Sequence, residues 1–227
     1  MTQQYPHICG VGIDISQLMI EYANSLVASQ SISNAQFHVI DATKPLPFPD
    51  HTFDLVNGRI LTGFLLKEQW TSLLQECSRI TKPGGIARFT EAEWGFTNSP
   101  AYDKMTSLCY LGVHRAGHSF SPHGRTYGTA MMLRSLLRRA GYNEIEHQAY
   151  ALDYSAGTPN HTDNVQNMLV IYKLLQPFLA QVQVATQEEL ELIHQQMEEE
   201  MNAEDFCATD YFLTAWGRKP ENFPAQD

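Results

Sequence analysis

Between residues 7 and 90 the chain alternates short apolar runs with amphipathic stretches, and that alternation confines it to an α/β architecture. Residues 7–15, 36–40, 53–57 and 86–90 read as strands. Residues 17–29 read as a helix with Leu18, Met19, Tyr22, Ala23, Leu26 and Val27 on one face and Ser16 as its N-cap. Residues 68–81 form a second helix, with Trp70, Leu73, Leu74, Cys77 and Ile80 at helical spacing. Lys82-Pro83-Gly84-Gly85 stops it, because proline cannot continue a helix and glycine permits a left-handed turn.

The second half changes character. Residues 94–124 are rich in aromatics, glycine, serine and histidine and show weak periodicity. A helix over 129–140 ends at Gly141, and residues 144–152 read as a strand. Residues 164–182 are apolar over much of a helical circumference, so they are sandwiched between other elements, and Pro177 is expected to kink or break them. An acidic helix over 187–201 carries Leu190, Ile193, Met197 and Met201 in one stripe, and residues 210–217 form a closing strand.

The net charge of −10 argues against a nucleic-acid partner, whose phosphates demand a basic face. Arg134, Arg138 and Arg139 read as one solvated helix face. Cys9, Cys77, Cys109 and Cys207 form no CxxC pair and fit reduced thiols in a cytoplasmic protein. No apolar run approaches the roughly 18 residues of a membrane span.

Three segments carry a resemblance. They are Gly12-Ile13-Asp14-Ile15-Ser16 followed by Leu18-Met19, the run from Asp41 through Pro45-Leu46-Pro47-Phe48 to Thr52-Phe53-Asp54-Leu55-Val56, and Glu76, Arg79 and Lys82-Pro83-Gly84-Gly85 before a strand. In order and spacing the set resembles the class I S-adenosylmethionine-dependent methyltransferases of type 11. The resemblance implies a Rossmann-like sheet with helices on both faces and a helical insertion before the last strand. It also implies methyl transfer from S-adenosylmethionine to a small-molecule acceptor by in-line displacement. Asp14 would hold the ribose hydroxyls and Asp41 the adenine amino group, while Ala42 contacts the ring. The chemistry agrees, since hydroxyls and an amino group are donors and carboxylates accept. Ile15 or Met19 can pack on the purine face. Taken singly, Asp14 is equally a helix-start residue and Asp41 a turn cap.

The family opens with a strand and a GxGxG loop, for which only eleven residues stand before Gly12 here. Gly10-Val11-Gly12 does not replace that loop, because no acidic residue follows about 20 positions later. The expectation is therefore a sheet whose first strand is missing, leaving a gap between the strand of Asp14 and the strand over 53–57. A single methyltransferase domain over 1–227 is expected, with residues 1–93 binding the cofactor. Residues 94–125 and 155–205 would cover the acceptor. The cover expectation rests on Trp94, Phe96, Tyr102, Tyr110 and Phe120 in one segment and Met168, Tyr172, Leu175 and Phe178 in the other.

Weaker constellations remain. Glu91 and Glu93 follow the fourth strand, where α/β ligand clefts open, and are candidate bases, with salt bridging as the alternative. His114 and His118 stand four apart with His123 nearby, but position 115 is Arg and HExxH fails, so no metal is expected and a role in the cover or on the surface is favoured. Gly58 could admit a ligand to the backbone, and Arg59 could meet the cofactor's carboxylate. Two competing functions are a non-catalytic methyltransferase-like binding protein, suggested by the missing loop, and a nicotinamide-dependent oxidoreductase, which needs the glycine loop that is not found.

Overall fold

A computed structural model describes residues 5–221, the Trp94 side chain excepted. The described chain folds as a mixed α/β protein of two compact units, Met1–Pro49 and Asp50–Asp227.

In the first unit β1 (Gly10–Asp14) runs parallel to β2 (Ala35–Val39), joined by α1 (Gln17–Ser29). Ser16 caps α1 as expected, its hydroxyl accepting from Met19 N. The expected apolar face of α1 is only partly used. Ile20 is buried, whereas Leu18 and Tyr22 are each 67% exposed. A sheet of two strands is too narrow to cover the whole stripe.

The second unit holds β3 (Phe53–Arg59), β4 (Thr81–Thr97), β5 (Asn143–Asp153) and β6 (Ala208–Arg218), in the order β3-β4-β6-β5. β3 and β4 are parallel; β6 is antiparallel to both β4 and β5. Helices α2 (Gln69–Ile80), α3 (Pro100–Arg115), α4 (Thr129–Arg139), α5 (His161–Gln181) and α6 (Gln187–Met201) complete it, α5 and α6 being the helical insertion before the last strand. The six strands thus form two sheets, in which β1 pairs only with β2 and β3 only with β4.

Three elements differ from the sequence reading. The fourth strand is not limited to 86–90: Thr81 already pairs with Phe53, and the ladder with β6 continues to Thr97. Glu91 and Glu93 therefore sit within the strand, not after it; their charges hid the extension. The stretch 94–124 contains the helix α3, which starts at the Ser99 N-cap with Pro100 in its first turn. Its buried residues, among them Tyr102, Met105, Cys109 and Val113, surround the axis, so no amphipathic period was visible. Finally, α5 does not break at Pro177. Tyr172, Gln176 and Leu179 are buried on either side of it and hold the helix in place despite the missing N–H.

The core of this unit lies where α3, α5 and α6 meet. Tyr102, Met105, Met168, Tyr172, Leu190, Met197 and Met201 form one buried cluster. The acidic helix is anchored there by Glu200, whose Oε2 accepts Ala101 N at the start of α3.

Candidate active site

Asp14 ends β1 and Asp41 follows β2, and Ile40 N donates to Asp14 O at 2.9 Å. The parallel register thus places both carboxylates at the carboxyl ends of neighbouring strands, where α/β sheets bind ligands. Asp14 Oδ1 accepts Ser16 N at 2.7 Å. Asp41 Oδ1 accepts from Thr43 N and Thr43 Oγ1 at 2.9 and 2.6 Å, and Lys44 Nζ lies 3.2 Å from Oδ2. These bonds, those from Thr43 first, hold the Asp41 carboxyl below its ordinary value, so it is an anion at neutral pH. Asp41 closes a turn through this geometry and keeps acceptor capacity as a carboxylate. Ala42 is half-buried beside it, while Ile15 is 69% and Met19 50% exposed, leaving apolar surface next to Asp14.

In the second unit, Gly58 has a packing reason to be glycine: a Cβ there would lie 2.6 Å from the ring of Phe89. Arg59 is exposed and makes no ion pair among the described residues. Glu91 is 1% exposed, and its carboxylate accepts Leu61 N at 2.7 Å and Thr62 Oγ1 at 2.7 Å, tying the loop after β3 to β4. Burial still pushes its carboxyl upward. Glu93 accepts Tyr127 N at 2.8 Å and Gly128 N at 2.6 Å at the start of α4. Burial first, aided by the charge of Glu91, pushes Glu93 up to about 7 against those two bonds. The two glutamates thus hold two loops at the carboxyl ends of β3 and β4, and Glu93 has the proton affinity of a neutral-pH base.

His114 and His118 do not share a helix face. α3 ends at Arg115, and Gly117 at φ 83° turns the chain before His118. His118 Nδ1 lies 2.8 Å from Leu65 O, and the Nδ1 of His114 is buried without a partner. No group of three or more metal-ligating side chains occurs among the described residues. The expected cover segments hold α3, α5 and α6, and Tyr102, Met168 and Tyr172 pack in their shared core. Phe96 is 86% exposed, and the side chain of Trp94 lies outside the described residues.

One polar cluster had no sequence signature. Asp210, 1% exposed on β6, accepts Gly95 N at 3.2 Å, and Tyr154 Oη lies 3.3 Å from the same oxygen. The hydroxyls of Tyr154 and Tyr102 meet at 2.8 Å, and so do those of Thr106 and Tyr172. Residues 102, 154 and 210 come from three distant elements, so no local pattern could have joined them.

The strand order with one antiparallel strand between the last two, and the acidic residues at the ends of β1 and β2, can now be set beside known proteins. The profile of a methyltransferase domain family matches residues 1–85. A demethylmenaquinone methyltransferase of Geobacillus stearothermophilus is 26% identical over 160 residues, covering 64% of each chain. The chain belongs to the class I methyltransferases. An uncharacterized methyltransferase of Schizosaccharomyces pombe is 33% identical over 89 residues, covering 37% of this chain and 31% of that protein. Among solved structures, a methyltransferase-like protein of Bacillus halodurans superposes with a TM-score of 0.55 at 15% identity, over 95% of this chain and 85% of that one. The phosphoethanolamine N-methyltransferase 2 of Haemonchus contortus, solved with S-adenosylhomocysteine, gives 0.51 at 18% identity over 92% of this chain and 43% of that one. These two show the methyltransferase fold. The chain spans 64% of the length of the first relatives it matches. No described helix is long and apolar enough to cross a membrane.

Proposed function

We propose that this methyltransferase moves a methyl group from S-adenosylmethionine to a small-molecule acceptor. The observation that carries the reading is the pair of carboxylates, Asp14 and Asp41, at the carboxyl ends of two adjacent parallel strands. The donor set fits the cofactor: two hydroxyls and an amino group need acceptors, and one oxygen of Asp14 has no partner among the described residues. Asp14 would take the ribose hydroxyls and Asp41 the adenine amino group. Ile15 and Met19 would lie on the purine, with Ala42 at the ring. Arg59 would meet the carboxylate, and Gly58 would keep the end of β3 close-packed beneath it. The cofactor supplies a methyl group on a sulfonium, a leaving group that is already activated.

The protein's own part is then orientation, exclusion of water and acceptance of a proton. Glu93, pushed up to about 7, is the better placed of the two glutamates to accept one, since Glu91 is fully engaged by Leu61 and Thr62. The helices α3, α5 and α6 would exclude water from a small, partly apolar acceptor, with His114 and His118 at the border of that cover. Relatives named for acting on demethylmenaquinone favour an acceptor of this size and character. A cytoplasmic location accords with four free cysteines. Calorimetric titration with S-adenosylmethionine tests the reading, followed by detection of S-adenosylhomocysteine formed with a panel of small hydroxylated and amine acceptors. Absence of any cofactor binding to the chain would end it.

A further inference from the structure

Residues 117–128 link α3 to α4 and fold on themselves. Phe120 N donates to Tyr127 O at 2.9 Å, and Ser119 Oγ reaches Thr126 O and Tyr127 O at 3.1 and 2.9 Å. A twelve-residue segment closed by its own bonds has the character of an Ω-loop, which moves as a body. Glycines in the left-handed region stand at its two ends, Gly117 at φ 83° and Gly128 at φ 72°. At Gly128 a Cβ would also lie 2.7 Å from Ser121 N, so the loop could not close on any other residue.

The attachments of this loop to the rest of the unit are few. Gly117 O accepts Lys67 N at 2.9 Å, His118 meets Leu65 O, and Phe120 packs edge-on against Trp70. At the other end the polar attachment is Glu93, which takes two consecutive backbone N–H groups. Leu65 and Lys67 belong to the loop after β3, and Glu93 lies toward the end of β4. The loop is therefore held over the carboxyl ends of the two parallel strands, where α/β proteins bind their ligands.

We propose that residues 117–128 are a flap over the acceptor side, closed while the Glu93 carboxyl carries a proton and released when it ionises. What the flap covers rests on the methyltransferase reading; the latch itself does not. The charged and titratable groups around Glu93 are Glu91 on its own strand and Tyr211 opposite it on β6. Tyr127, His118, His123 and Arg125 lie in the loop, and His114 and Tyr110 on α3. Among them Glu91 alone shifts Glu93 by its charge, and it does so upward. The ionised form gains from the two N–H bonds, but it loses more by being withheld from water beside Glu91.

The closed flap thus binds the proton more tightly than a wetted Glu93 would. By linkage, ionisation must favour the state in which Glu93 is wetted. Taking the change from 4.5 to about 7, the closed-to-open ratio falls by a limiting factor of about 300 as pH rises across that interval.

The test is amide hydrogen exchange at Tyr127 and Gly128 in the full chain between pH 5.5 and 8.5, with rates divided by their intrinsic values. Wild-type protection should fall more than ten-fold with rising pH, and in Glu93→Gln it should be flat. A carbon-13 titration of the Glu93 carboxyl in the wild-type chain should give a midpoint near 7, and it serves even if the variant does not fold. Flat wild-type protection, an unchanged slope in Glu93→Gln, or a midpoint in the ordinary carboxylate range each overturns the latch. Calorimetry with S-adenosylhomocysteine on the same samples tests the methyltransferase reading separately. A pH-dependent flap without cofactor binding would retain the latch and remove its assigned role.

Discussion

Lys219 is 2% exposed, an unusual place for an ammonium group. Its Nζ donates to Ser78 O at 2.6 Å and to Thr81 O at 2.9 Å, and it lies 3.1 Å from His51 Nδ1. Ser78 and Thr81 end α2, so the ammonium caps carbonyls that the helix cannot satisfy and sits at the negative end of its dipole. The substitution Lys219→Met keeps most of the side-chain volume and removes the donors. A hydrogen bond to a charged group is worth about 1.5–3 kcal/mol, and two carbonyls are affected. The desolvation that pulls the Lys219 pKa below its ordinary value offsets part of this. The expected net loss is about 2–4 kcal/mol in the second unit, or a fall in melting temperature of roughly 4–16 °C at about 2–4 °C per kcal/mol for a unit of this size. Urea unfolding followed by circular dichroism reads it. Arg218→Met, which removes an exposed pair with Glu144, should cost under about 1 kcal/mol and is the control. A Lys219→Met chain as stable as wild type would show that α2 ends without need of the ammonium.

Asp41→Asn should weaken cofactor binding about ten-fold or more while leaving the fold intact, because an amide oxygen can still accept from Thr43 and preserve the turn; calorimetry showing unchanged affinity would remove Asp41 from the site. Gly95→Ala places a Cβ 1.3 Å from Thr209 O, so the strand must shift, and a loss of about 3 kcal/mol or more is expected in thermal unfolding. Burial raises the Asp210 carboxyl above its unfolded value of 3.8, so the stability it contributes is fully present below pH 3.8 and is lost as pH rises through the folded value. Asp210→Asn should therefore gain on wild type as pH rises from 4 to 8, and a pH-independent difference between their unfolding free energies would contradict this.

Where local pattern and tertiary environment agreed, the elements were legible. α1 at 17–29 and α6 at 187–201 coincide with their expected limits, since each begins at a hydroxyl cap and carries an apolar stripe. β3 and β5 start within a residue of expectation. α3 was not legible because a helix buried all round has no period to display, and Gly112 within it reads as a breaker. In the structure that glycine lets α5 pass close by: a Cβ there would meet Leu179 at 2.8 Å.

The sequence by itself determined the family, the order of strands and helices, and the positions of Asp14 and Asp41, because these depend on residues close together in the chain. It also carried the expectation of a gap beside the strand of Asp14. In the structure β1 and β3 neither pair with each other nor take a second neighbour. Only the tertiary structure decided what the buried polar groups do. The engagement of Glu91 by Leu61 and Thr62, the hold of Glu93 on Tyr127 and Gly128, and the meeting of Asp210 with Tyr154 each join residues about 30 or more positions apart. Hydrogen-bond partners at such separations are set by how strands register and helices pack, and nothing in the local composition of either partner specifies the other.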